Sequence, residues 1–167
     1  MARYGADMPE CVECGAELPR SAECWTRVHE LLEVENRVLA GIDGETAKRA
    51  HYFAIASYQL QHPSRLTRAA AEGLRSGVRE MLGPGAPSID AFRRAVGRRV
   101  SGTKVGRVAE AGDRHHVHSN WPRRWTVTAV DVLAQPDDAY PQAATEWASA
   151  CLRDLDAALT DPSTASS

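Results

Sequence analysis

The sequence predicts a mainly α protein: a single-domain helical bundle built on an antiparallel helical hairpin. A zinc-knuckle-like loop precedes the hairpin, and one short extended segment falls near 125–133. Three observations carry that prediction. Apolar residues recur at helical rather than alternating spacing over most of the chain. The breaks between those stretches are short and rich in Gly and Pro. The 167 residues, 43% of them hydrophobic, suffice for one buried core, so 1–167 reads as a single domain.

In chain order, residues 11–24 (CVECGAELPRSAEC) contain Gly15 and Pro19 and no apolar period. They read as a loop held by something other than a core. From Ser21 as N-cap, Trp25, Val28, Leu31, Leu32, Val34 and Val38 follow a helical period, giving a first helix over roughly 22–40. Gly41, Asp43 and Gly44 break it. Thr46 then caps a second helix, AKRAHYFAIASYQLQ, which ends at His62-Pro63 because a residue before proline is pushed out of the α region. About five residues join the two, which favours an antiparallel hairpin over 22–62.

The remaining helices occupy 63–160. TRAAAEGLRSGVREML forms a third over about 66–82, closed by GPGAP, and Ser88 caps a fourth, IDAFRRAVGRR. Residues 101–125, rich in Gly, His and Arg, are expected to be irregular. WTVTAVDVLA has the β-branched alternation of a short extended segment, PQAATEWASACLRDLDAAL closes the fold as a helix, and 160–167 is a flexible tail.

Charge is unevenly spread. The formal net charge is −2, yet residues 1–60 carry 6 basic and 10 acidic side chains, 61–125 carry 13 and 5, and 126–167 carry 1 and 7. A +8 middle therefore lies between two acidic ends. No run approaches eighteen consecutive apolar residues, and MARYGADMPE lacks the apolar stretch of a secretory signal, so the expectation is a cytoplasmic protein with no membrane partner. In that reducing compartment four cysteines are thiols or metal ligands rather than disulfides.

Three of the four cysteines crowd into the first 24 residues. Cys11-Val-Glu-Cys14-Gly15 is a half-site for a soft divalent metal, with a glycine that tolerates the positive φ of a tight chelating turn. Cys24 supplies a third thiolate. Zinc wants four ligands, and hairpin geometry supplies the fourth. Residues level across an antiparallel pair have position numbers of constant sum, about 86 for a loop centred near residue 43. Cys24 is then level with His62, and Glu35 with His51. Each helix carries its two polar residues eleven positions apart, which returns a side chain to within about 20° of its starting direction.

The expected arrangement is a metal site of Cys11, Cys14, Cys24 and His62, with a polar pair Glu35–His51 about 16 Å away along the hairpin. Tyr58 shares the stripe of His51 and His62. His29 is the competing fourth ligand, although it lies about 140° around the helix from Cys24; His51 is a third candidate. Zinc is the expected ion, with iron and copper as alternatives.

CVECG, Cys24 with Glu35 beyond it, HYFAIASYQLQHP, and the later TVTAVDV…DDAY…EWA together resemble the bacterial proteins grouped as domain of unknown function family 5946. The resemblance spans roughly 8–155. It implies that Cys11, Cys14, Cys24, Glu35, His51, Tyr58, Gln61 and His62 occupy the family's characteristic polar positions, and it implies no established activity.

Other residues invite plainer readings. Arg114-His115-His116-Val117-His118 looks like a metal tract but reads as a solvated loop. Trp121, Trp125 and Trp147 are expected to anchor packing, and Cys151, four residues beyond Trp147, to be a buried thiol. Arg93, Arg94, Arg98 and Arg99 form a solvated basic face.

Three functional readings follow. In the first, a closed four-ligand zinc clamps the loop to the hairpin and is structural. In the second, His62 does not ligate, the three-thiolate metal keeps an open position, and the protein is an enzyme. There Glu35 and His51 transfer protons and Tyr58 donates. In the third, the basic 61–125 segment binds nucleic acid beside a zinc knuckle. The first leads; a small molecule or a protein is the expected partner, and nucleic acid the less favoured one.

Overall fold

The structure is a computed structural model that describes residues 8–19, 23–100 and 117–160, with side chains described to residue 98 in the second stretch. Among these residues it forms six α-helices: α1 (Cys24–Val38), α2 (Gly44–Gln61), α3 (Arg68–Leu82), α4 (Ile89–Val100), α5 (Ala129–Leu133) and α6 (Tyr140–Thr160). Short 3-10 turns at Leu39–Gly41, Pro63–Arg65 and Asp137–Ala139 join them. No described helix is long and apolar enough to cross a membrane.

The helix ends follow local chemistry. Asp43, not Thr46, caps α2, its carboxylate accepting from the Thr46 N–H at 2.9 Å. Thr67 caps α3 through the Ala70 N–H at 3.0 Å, and the Ser88 hydroxyl accepts from Ala91 at the start of α4. Glu23 stands at the N-cap position of α1 without a capping side chain, so the helix begins later than expected. Ser21, His115, His116 and 161–167 lie outside the described residues, as does the Arg99 side chain.

The expected extended segment near 125–133 is corrected. Thr128 and Asp131 form a capping box, the Asp131 carboxylate accepting from the Thr128 N–H at 2.7 Å, and they start α5. Thr126 is tied to α6 instead of to a strand, its N–H and hydroxyl each donating to Asp154 at 2.7 Å. The β-branched alternation was real, but no second described strand exists for it to pair with. A T-x-x-D pattern therefore prevailed.

The core is built on α2 and α6, the most extensive helix pair. Thr46 and Thr145 line one cleft while Gln61 meets Cys151 at 3.4 Å, so the two helices run parallel. Ala50, Ala54, Ser57 and Gln61 form one stripe, and Ala144, Ala148, Cys151 and Leu155 form the other with the same 4-3-4 spacing. All eight are buried. Small side chains on both faces let the backbones approach closely. Cys151 is the expected core thiol, its pKa pushed up to about 12 by burial.

Around this pair, Trp147 and Tyr140 fill the interior, and Trp121 is buried with its indole N–H donating to the Leu60 carbonyl at 2.8 Å. Trp125 is buried as well. α3 packs on α2 and α6, with Gly77 at the contact. A Cβ at that position would come within 2.8 Å of the Tyr52 hydroxyl and 2.9 Å of the Phe92 ring. α1 packs chiefly on α5 and reaches α6, meeting α2 through long side chains rather than close backbone approach. The charge gradient is folded back on itself: Arg75 and Arg79 both bind Asp156 at 2.6 Å, and Arg124 binds Glu10 at 2.7 Å.

Candidate metal centre

The N-terminal loop turns sharply between its first two cysteines. The Gly15 N–H donates to the Cys11 carbonyl at 2.8 Å and the Cys11 N–H to the Ala16 carbonyl at 2.9 Å. Gly15 has φ +74°, and a Cβ there would meet the Arg123 carbonyl at 3.0 Å. Glycine is therefore required twice, for conformation and for space. Glu10 and Glu17 bridge across the turn, making it a small hairpin rather than an irregular loop.

Cys24 opens α1, and His62 is the C-cap of α2 with φ −125° and ψ 62°, the non-helical geometry imposed by Pro63. These ends meet the turn. The ligand atoms of Cys11, Cys14, Cys24 and His62 all lie within 4.8 Å of one another. Cys14 Sγ is 3.4 Å from Cys24 Sγ, and Cys11 Sγ is 3.5 Å from His62 Nε2. A tetrahedral zinc requires donor separations of roughly 3.5–3.8 Å, so the set fits such an ion with small side-chain adjustments.

The histidine is oriented for that role. Its Nδ1–H donates to the Tyr58 carbonyl at 2.8 Å, which leaves the Nε2 lone pair facing the sulfurs. The Tyr58 ring stacks on the imidazole at 4.1 Å and 26°, and Trp25 covers Tyr58 at 5.5 Å. His29 stands outside the cluster, exposed and edge-on to Trp25 at 4.8 Å.

Electrostatics in the cluster favour a cation. Hydrogen bonds from Cys14 and Cys24 hold the Cys11 thiol well below its ordinary range, while contact with Cys11 and Cys14 pushes Cys24 well above it. Burial opposes the charged form of His62, but hydrogen bonds to Cys11 and Cys14 outweigh it and raise its pKa to about 10. Packed thiols cannot all ionise against one another. A divalent ion held there would resolve the conflict, with all three bound as thiolates and neutral imidazole as the fourth donor.

Glu13, between the two loop cysteines, was missed by sequence reasoning. It is buried, and its carboxylate accepts from the Ser64 N–H at 3.1 Å and the Ser64 hydroxyl at 2.5 Å. The loop is thus fastened to the chain just past His62 by a second contact independent of any ion.

Further along the same helices the Glu35–His51 pair forms as the hairpin geometry predicts, with His51 Nδ1 2.8 Å from Glu35 Oε2. The other carboxylate oxygen accepts from Tyr140 Oη at 2.5 Å. Burial and the Glu35 contact both raise the Tyr140 pKa, so the phenol stays protonated and donates. Tyr58 is not brought to this pair; Tyr140, from the start of α6, takes the place beside it. Gln61 is buried between α2 and α6, donating to the Val127 carbonyl at 2.7 Å.

A protein-family model described as "Family of unknown function (DUF5946)" matches residues 9–156. The chain belongs to that family. The matched span includes the four clustered Cys and His residues, Glu13, and the Glu35, His51 and Tyr140 group, so both polar sites are inside the DUF5946 region. Neither the curated proteins nor the solved structures yielded a match.

Proposed function

We propose that this DUF5946 protein is a cytoplasmic zinc protein in which Cys11, Cys14, Cys24 and His62 hold one ion that clamps the N-terminal loop to the open end of the α1–α2 hairpin. The observation that carries this reading is the convergence of three sulfurs and a correctly oriented Nε2 within 4.8 Å. Four protein donors close a tetrahedral sphere and leave no place for water, which is the arrangement of structural zinc rather than catalytic zinc. Three thiolates also favour zinc over hard cations such as magnesium or calcium.

The clamp joins segments distant in sequence. Cys11 and His62 are 51 positions apart, so the ion ties a loop with little core of its own to the end of α2. Elemental analysis of protein purified without added metal should give one zinc per chain, and chelation should remove helical circular dichroism cooperatively. Metal-free protein of unchanged thermal stability would overturn the reading.

The enzyme reading that opens the metal by withdrawing His62 is less well supported, because the imidazole is held by both Tyr58 contacts. A small-molecule or protein partner also suits the surface better than nucleic acid, since Arg75, Arg79 and Arg124 from the basic middle are engaged with carboxylates.

A further inference from the structure

Further along the α1–α2 pair from the metal cluster, α1, α2 and α4 border an open cleft of about 560 Å³, within the size range of small-molecule sites. Its polar lining is mostly cationic: His51 and Lys48 from α2 and Arg93 from α4, with Asn36 beside them. Leu39 and Ala47 give it an apolar wall. Among the described residues that line it, Glu35 is the one acid, and both its oxygens are occupied, by Tyr140 and by His51.

His51 is therefore held by one nitrogen and free at the other. Its Nδ1 is engaged with a carboxylate that is only 8% exposed, while the His51 side chain is 45% exposed to the cleft. Pairing with Glu35 raises its pKa against the opposing effects of burial and Arg93, which favours the imidazolium and leaves an Nε2–H donor without an acceptor among the described residues. Arg93 is exposed and likewise has no acceptor among them. Lys48 is satisfied by Asp90 at 2.7 Å. His51 and Arg93 thus face one cleft, where Arg93 opposes the imidazolium, the buried Glu35 is already taken, and Asp90, one turn before Arg93, is paired with Lys48.

We propose that this cleft binds a small oxyanion, the carboxylate or phosphate group of a small metabolite, between the Nε2–H of His51 and the guanidinium of Arg93. Glu35 and Tyr140 are positioning residues, fixing the imidazole so that its free N–H faces the cleft, as a carboxylate orients the histidines of many binding sites. The guanidinium supplies the forked donor pair that matches either oxyanion. Opposing like charges relax once an anion bridges them. The proposal does not depend on the metal.

The test titrates the zinc-loaded full chain, labelled with 15N, with inorganic phosphate and separately with acetate, following the His51 ring nitrogens by NMR against a chloride control of equal ionic strength. A saturable shift with phosphate supports a phosphate-bearing ligand, and one with acetate supports a carboxylate. Either affinity should fall about tenfold or more in Arg93→Met, an exposed substitution that leaves the packing intact, and in His51→Gln, which keeps a donor to Glu35 and in which binding is read from the 15N signals of the Arg93 guanidinium. Absence of a saturable shift with both anions, or a shift that survives Arg93→Met unchanged, overturns the proposal.

Discussion

Two polar sites stand on the same pair of helices and differ in what they leave open. At one end, Cys24 and His62 join the loop cysteines in a cluster whose soft donors face inward, with His62 fixed by Tyr58. Eleven residues along each helix, Glu35 and His51 make a contact of the same register, but there the carboxylate is buried and the imidazole half exposed to a cleft. Identical spacing thus produced an inward-facing Cys and His cluster in one place and a polar pair open to a cleft in the other. The difference lies in the third partner: a cysteine-bearing turn covers the first site, whereas Tyr140 supports the second from beneath and leaves its outer side to solvent.

Breaking the closed site should have the largest effect. Cys24→Ser should lose the bound metal and cost on the order of 5 kcal/mol or more, read as the fall in the denaturation midpoint. Glu13→Ala tests whether the metal alone holds the turn. It leaves the buried Ser64 N–H and hydroxyl without their acceptor and should cost about 2 kcal/mol, with metal content unchanged. Loss of metal from that variant would show that the ion depends on the carboxylate.

Changes at the open site should be smaller and should spare the metal. Tyr140→Phe removes one donor to a buried carboxylate and should destabilise by about 1–2 kcal/mol. The His51–Glu35 contact adds a pH signature. Because Glu35 raises the His51 pKa above its ordinary value of 6.5, its contribution is complete below pH 6.5 and is lost as pH rises through the folded-state value. Urea titrations at stepped pH should show this decline in the wild type and a flatter profile in His51→Gln. Parallel profiles would remove the ion pair from the account. The smallest effect belongs to His29→Ala, expected within about 0.5 kcal/mol and with full metal content.

What sequence reasoning reached, and what it missed, divides along physical lines. Level positions in a hairpin follow from loop length and helix pitch, so Cys24 with His62 and Glu35 with His51 were readable from numbering alone. That rule holds only between helices adjacent in the chain. Tyr140, 105 positions from Glu35, and the parallel α2–α6 pairing depend on how later helices return, which spacing does not encode. The matched stripes from Ala50 and Ala144 were visible as patterns of small residues but carried no sign that they face each other. Glu13 looked like one more charge in an acidic segment until Ser64 was placed against it. At 125–133 the β-branched alternation points to an extended segment, while the Thr128–Asp131 capping box starts a helix there.

The central claim, a closed site of three thiolates and one imidazole, is tested most directly by replacing the native ion with cobalt and recording the absorption spectrum. Tetrahedral coordination with three sulfurs and one nitrogen predicts intense visible bands and strong sulfur-to-metal charge transfer at one equivalent, lost with the metal in Cys24→Ser, shifted in band position with the charge transfer kept in His62→Ala, and unchanged in His29→Ala. Weak octahedral bands, or a spectrum unchanged by His62→Ala, would contradict it.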